Sequence, residues 1–291
     1  MTRYIPFIFV ILWSTGFVGA KFGLPYAEPF TLLMWRMVFV VPLFLSLVFI
    51  FKRPKLKAAD AAMQMLVGLL IHGFYLGAVF AAIDAKVPAG LTALFVSLNP
   101  LIIALLSGVV LNVSISKKEW SGLLLGLLGV AIVLYGASSW NGVITIKGMA
   151  WLSLALISIA IGTLLQKRYA QNVDLLTGSS YQYLGAAAFF TIMSFSLETG
   201  KVNWTSELMF TLAWLVIVLS LIAILLLLYM IRHGEASRVA SYFYLVPPFA
   251  ALWGWLFFDE QWSWMTLFGS LLVVVALFVI KPSATKKLNK K

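Results

Sequence analysis

The sequence predicts an all-α integral membrane protein: ten transmembrane helices forming two inverted five-helix repeats, with both termini cytoplasmic. Three observations predict it. Composition is the first: 62% of the 291 residues are hydrophobic and 11% charged, with a mean hydropathy of +1.01. A water-soluble fold has too little interior for so many apolar side chains. The second is a lopsided distribution of Lys and Arg along the chain. The third is a match of the chain to itself, without a gap, at an offset of 147 residues.

Ten apolar runs follow one another, over 4–24, 29–51, 62–83, 87–111, 119–138, 148–168, 177–197, 207–231, 234–258 and 263–281. Each is near the ~20 residues that a helix needs to cross about 30 Å of hydrocarbon. Charge and turn signals separate them, among them Lys52-Arg53-Pro54-Lys55, Trp140-Asn141-Gly142, Glu198-Thr199-Gly200 and Asp259-Glu260. Membrane strands would be about half as long and would alternate apolar with polar residues, which these runs do not. The first run, with Arg3 before it and Gly19-Ala20 near its end, has some features of a signal peptide. Its place as the counterpart of the sixth run argues that it is a retained helix.

Counting Lys and Arg on alternate sides of ten spans gives sixteen on the side of the N-terminus. These include the clusters at Lys52–Lys57, Lys117-Lys118 and the C-terminal tail 282–291. The other side holds four, namely Lys21, Lys86, Lys147 and Lys201, and Arg36 lies within a span. Positive loops stay cytoplasmic, so both termini are expected inside. The net charge of +11 is therefore a topology signal, and no nucleic-acid partner is expected.

The internal match is clearest where AGLTALFVSLNPLIIAL, from Ala89, lies on ASRVASYFYLVPPFAAL, from Ala236. Ala93 then falls on Ala240, Leu98 on Leu245, Pro100 on Pro247 and Gly122 on Gly269. The predicted organisation is a first repeat over 1–140, a second over 147–281 and a basic tail over 282–291. Five spans, an odd number, separate equivalent points, so the second repeat must cross the membrane in the opposite sense. The natural site is then at the midplane, where the halves meet.

Polar groups inside hydrocarbon are the best pointers to that site, because each is costly unless it faces protein or water. Arg36, His72 and Asn99 fall towards the middle of spans two, three and four, and Tyr75 shares a helical face with His72. In the second half Gln182, flanked by Tyr181 and Tyr183, and then Tyr242 and Tyr244 are comparable. Each has a structural alternative. Arg36 could tie a neighbouring helix end, His72 could be a hydrogen-bonded packing residue, and Asn99 could serve backbone groups that Pro100 leaves unpaired. Pro100, Pro247 and Pro248 remove intrahelical hydrogen bonds in equivalent spans and are expected hinges. Gly73 with Gly77, and Gly122 with Gly126 and Gly129, suit close helix packing within one chain, so a monomer is favoured over a dimer.

The sequence also excludes chemistry. It has no cysteine and no phosphate-binding G-x-x-x-x-G-K-[ST] loop. Its ten acidic residues all map near the ends of spans, so neither a metal site nor another cofactor is expected. His72 is the central titratable group for any proton coupling.

Trp13-Ser14-Thr15 with Lys21, Met34-Trp35-Arg36, the AGLTALFVSLNPL segment and ASRVASYFYLVPP followed by Asp259-Glu260 and Gly269 resemble the drug/metabolite transporter superfamily, specifically its ten-helix EamA type. Asn112-Val113 depart from the Gly-Glu pattern that the family's first repeat often has. The resemblance implies a central cavity and secondary transport of small metabolites, without an enzymatic step. The expectation is thus an exporter or facilitator of a small organic metabolite in a bacterial inner (plasma) membrane, working by alternating access. Arg36 would attract an anionic group, His72 and Asn99 would hydrogen-bond, and Trp13, Tyr75, Tyr242 and Tyr244 would contact apolar parts, with Gln182 a further member of the site. Amino acids, aromatic ones included, are the first candidates. The alternative is an integral-membrane enzyme acting on a lipid or other hydrophobic substrate. Cargo, direction, ion coupling and resting conformation are not legible.

Overall fold

Prolines open the first two helices of the chain, and lysines close the second and third. The computed structural model describes residues 4–99, 102–103, 106, 116–138, 145–169, 173–226, 230, 246–259 and 263–279. Helices α1 (Ile5–Gly23) and α2 (Pro29–Ile50) each carry Pro in the first turn, where the missing N–H would have no partner anyway. α2 and α3 (Ala58–Asp84) both end in a left-handed residue, Lys52 at φ 49° and Lys86 at φ 68°. The next amide in each case reaches back to close the end, Arg53 N–H to Val48 C=O at 3.0 Å and Val87 N–H to Ala82 C=O at 3.0 Å. Lysine replaces the usual glycine there, and its charge suits the negative end of the helix dipole.

The remaining described helices are α4 (Ala89–Val96), α5 (Lys117–Ser138), α6 (Ile146–Tyr169), α7 (Leu175–Leu197), α8 (Ser206–Leu226), α9 (Val246–Phe258) and α10 (Trp264–Val279). Among the described residues, α1, α2, α3, residues Ile146–Gln166 of α6, and α8 are long and apolar enough to cross a membrane. Large apolar side chains cover the outside, including Phe49, Leu127, Phe195, Phe210 and Phe268, as a lipid-facing surface requires.

Two departures from regular helix were not expected from the sequence. Leu69–Phe74 within α3 and Trp214–Ala223 within α8 are wound as π-helix, whose hydrogen bonds each span one residue more than in an α-helix. At an offset of 147, the first of these segments falls inside the second. The third departure was foreshadowed: α4 is regular only to Val96, then Ser97 and Leu98 form a tighter turn, with Leu98 N–H to Phe95 C=O at 3.1 Å. That is where Pro100 was expected to bend the span; Pro100 itself lies outside the described residues.

Packing between the halves comes in matched pairs. α2 lies on α7, α4 on α9 and α5 on α10, while α1 on α8 is mirrored by α6 on α3. Gly129 brings α5 so close to α10 that a Cβ there would stand 2.8 Å from the Gly269 carbonyl.

The α2–α7 pair is antiparallel and tied at both ends. Where α2 begins, the Glu198 carboxylate accepts from Phe30 N–H at 2.8 Å, Thr31 N–H at 2.6 Å and the Thr31 hydroxyl at 2.7 Å. Glu28 answers by accepting from Thr199 N–H at 2.8 Å and its hydroxyl at 2.7 Å. Beside them Ala27 and Val202 form an antiparallel bridge. At the other end Asp174 caps α7 through Thr177 N–H at 3.0 Å and meets Arg53 at 3.6 Å, and the Thr177 hydroxyl donates to Pro54 C=O at 3.1 Å.

Burial pushes the Glu198 carboxyl above the usual range, and the nearby Glu28 adds to this, against the pull of its amide partners. The folded chain therefore holds this proton more firmly than the unfolded chain. Its contribution to stability is full when protonated and is lost as pH rises through the folded value. Thermal unfolding in detergent should accordingly show a component that strengthens as pH falls from neutral into the acid range and disappears in Glu198→Gln. A component of opposite sign would refute this assignment.

Candidate functional site

A buried polar cluster sits where α2, α3, α7 and α8 converge, between the two halves. Among the described residues Arg36 is the one charged side chain that is buried. Its Nε and Nη2 donate to the Ser220 hydroxyl at 3.1 and 2.9 Å. That hydroxyl donates in turn to Leu215 C=O, five residues back, at 3.1 Å. The π turn of α8 thus aims a carbonyl and a hydroxyl at one place, and the hydroxyl's lone pairs are left for the guanidinium. Tyr75 from α3 and Tyr183 from α7 are close enough to Arg36 to interact electrostatically.

The rest of the cluster builds outward from Tyr183. The His72 ring, on the π segment of α3, stacks on Tyr183 with centroids 4.6 Å apart and planes 22° from parallel. The Gln182 side chain lies near His72 and donates from Nε2 to Gln64 Oε1 at 2.7 Å. Phe44 also packs against Tyr183, with ring centroids at 5.0 Å. Gln64, Gln182, Tyr75, Tyr183 and Ser220 are all buried. Burial of so many polar groups is tolerable because they satisfy one another.

Of the residues expected from sequence, the structure brings together Arg36, His72, Tyr75 and Gln182. Trp13 lies on α1 beside Phe9, with ring centroids at 5.3 Å. Its neighbours Ser14 and Thr15 accept from Trp253 Nε1 and Trp214 Nε1, both at 2.9 Å, which join α1 to α9 and α8. Asn99 follows the broken turn of α4, and its buried Oδ1 has no hydrogen-bond partner among the described residues. Tyr242 and Tyr244 lie outside the described residues. Pro247 and Pro248 fall in the first turn of α9 as described.

Sequence reasoning missed Ser220 and Gln64 and left Tyr183 as a flanking residue. For Tyr183 a signal existed, since at the offset of 147 it is the counterpart of Arg36. The two antiparallel helices α2 and α7 place equivalent positions at one crossing. Ser220 had no signal, being a lone hydroxyl in an apolar run that acquires its role from the π turn.

Comparison with known proteins finds the model of the EamA-like transporter family matching twice, over residues 4–135 and 146–281. Uncharacterized transporter YvbV of Bacillus subtilis is 26% identical over 273 residues, covering 93% of this chain and 88% of that protein. Uncharacterized transporter sll0355 of Synechocystis is 24% identical over 306 residues, covering 99% and 91%. The S-adenosylmethionine/S-adenosylhomocysteine transporter of Chlamydia trachomatis is 25% identical over 291 residues, covering 96% and 89%. A solved crystal structure that is 18% identical superposes with a TM-score of 0.66 over 96% of this chain and 95% of its own, a likeness of fold alone.

Proposed function

We propose that this chain, which belongs to the EamA-like transporter family, moves a small organic metabolite across the bacterial plasma membrane by alternating access, its halves rocking about the cluster around Arg36. The observation that carries the reading is Arg36 itself. It is a buried cation at the junction of the halves, anchored among the described residues to the second half through one neutral hydroxyl. A structural arginine is normally paired, because an isolated buried charge is expensive. Here the pairing is left to an anionic group on the cargo, such as the carboxylate of an amino acid. His72 and Gln182 hydrogen-bond its polar parts, with Asn99 as a further contact. Trp13, Tyr75, Tyr242 and Tyr244 meet its apolar parts, and Pro100, Pro247 and Pro248 bend the equivalent spans α4 and α9.

Ten spans with both termini inside and the second five inverted are part of the same proposal. The charge count, the twofold match of the family model and the paired contacts between halves support it. Counterflow in proteoliposomes across a panel of metabolites, with and without a pH gradient, tests it. Saturable exchange is expected, and flux without saturation, or chemical turnover of a solute, would sink it.

Rocking must separate the ends of α2 and α7 joined by Glu28 and Glu198. The chain has no cysteine, and bridge partners such as Ala27 and Val202 have Cα atoms about 4.5–5.5 Å apart, within reach of a disulfide. The double variant Ala27→Cys/Val202→Cys should therefore stop exchange when oxidised and recover it on reduction. Full flux in the oxidised protein would mean that these ends never part.

A further inference from the structure

The cluster holds one fixed positive charge and, among the described residues, nothing to balance it. Guanidinium stays protonated at any physiological pH, and the groups gathered round it (Ser220, Tyr75, Tyr183, His72, Gln182 and Gln64) are not anions at neutral pH. The acidic residues of the helices that form the cluster lie at helix ends. Glu28 is eight residues before Arg36, about 12 Å along α2 at 1.5 Å per residue. Asp174 is nine residues before Tyr183, and Glu207 thirteen before Ser220, or roughly 13 and 20 Å by the same rise. Glu28, Glu198 and Asp174 are moreover engaged in the ties at the ends of α2 and α7.

Charge balance then sorts the possible cargoes. A singly charged carboxylate makes the loaded cluster neutral and uses the fork geometry of the guanidinium, whose Nε–Nη2 edge already rests on Ser220. A zwitterion supplies the same carboxylate but adds an ammonium beside a buried cation, with no carboxylate of the described residues at hand to receive it. An amine offers only repulsion. We infer that the substrate is a monocarboxylate with an otherwise uncharged body, in preference to the corresponding amino acid. This rests on the transport reading above and narrows it, setting a carboxylate without an amine in place of the amino acid named there.

The test uses the full chain, purified in detergent and in proteoliposomes, and matched solutes that share an apolar body and differ in their charged groups. One set is isocaproate, leucine and isoamylamine; the other is hydrocinnamate, phenylalanine and phenethylamine. Thermal stabilisation and competition for counterflow should favour at least one carboxylate over its amino acid by about tenfold or more, with the amine weaker still, as like-charge juxtaposition in a buried site demands. Arg36→Gln should erase that preference, and Arg36→Lys should keep its sign while weakening it. The wild-type panel decides the matter even if neither variant folds. Equal or tighter binding of the amino acid overturns the inference, as does a panel in which no monocarboxylate binds. Saturable counterflow of some other solute in the same vesicles would still leave the transport reading standing, whereas no counterflow of any solute would remove both.

Discussion

Replacing Arg36 with methionine is expected to abolish exchange, by roughly a hundredfold or more, while leaving the folded protein as stable as before or more so. The two halves of that expectation come from the same fact. The guanidinium is buried, and its described hydrogen bonds go to a single hydroxyl, Ser220. Desolvating a charge is not repaid by one neutral partner, and exchanging such groups for hydrophobic side chains of similar volume is often neutral or stabilising. Methionine fills much of the space of the arginine stem and adapts to irregular gaps. Ser220 keeps its bond to Leu215 C=O, so no new unsatisfied donor is created. Transport, in contrast, loses the cation that would hold the cargo. Thermal unfolding in detergent and counterflow on the same preparation check both halves. A variant that unfolds several degrees lower, with flux reduced only in proportion to folded protein, would make Arg36 a structural tie and remove it from the site.

The parts of this arrangement that were legible share a physical reason. Arg36, His72 and Gln182 stand out because a polar group in mid-span needs a justification, and α2, α3 and α7 supply it by converging there. The matched pairing of helices was implicit in the offset of 147, and so was the meeting of Arg36 with Tyr183. What could not be read depends on geometry that has no local code. The π turns in α3 and α8 lie in runs that read as ordinary apolar helix, and without them Ser220 is an ordinary hydroxyl in LVIVLSLIA. Glu28 and Glu198 read as loop acids, since nothing in their neighbourhoods announces that each will bond backbone N–H groups across the junction.

Gly68→Ala is expected to destabilise the fold and to depress exchange together, although helix propensity alone argues the reverse. Alanine is better than glycine in a helix interior by about 1 kcal/mol, so an exposed site would gain. Gly68, however, lies where α3 crosses α7, and a Cβ there would fall inside the van der Waals envelope of the Gln182 carbonyl. The crossing is reciprocal: a Cβ on Gly185 would stand 2.5 Å from the Met65 carbonyl and 3.0 Å from its Cα. Backbone atoms cannot rotate aside, so the helices must separate, and overpacking of this kind typically costs about 1–3 kcal/mol. The overlap outweighs the propensity. Separation also stretches the 2.7 Å bond between Gln182 and Gln64 and shifts Tyr183 away from His72. Flux should therefore fall by more than the loss of folded protein explains, and Gly68→Leu should fail to accumulate in the membrane. Gly16→Ala is the control: its Cβ would meet only the tip of Leu219, at 3.1 Å, a side chain that can yield. Its unfolding temperature and flux should stay near those of the parent. A Gly68→Ala protein as stable and active as Gly16→Ala would show that α3 and α7 do not cross as closely as drawn, and that the cluster tolerates their displacement.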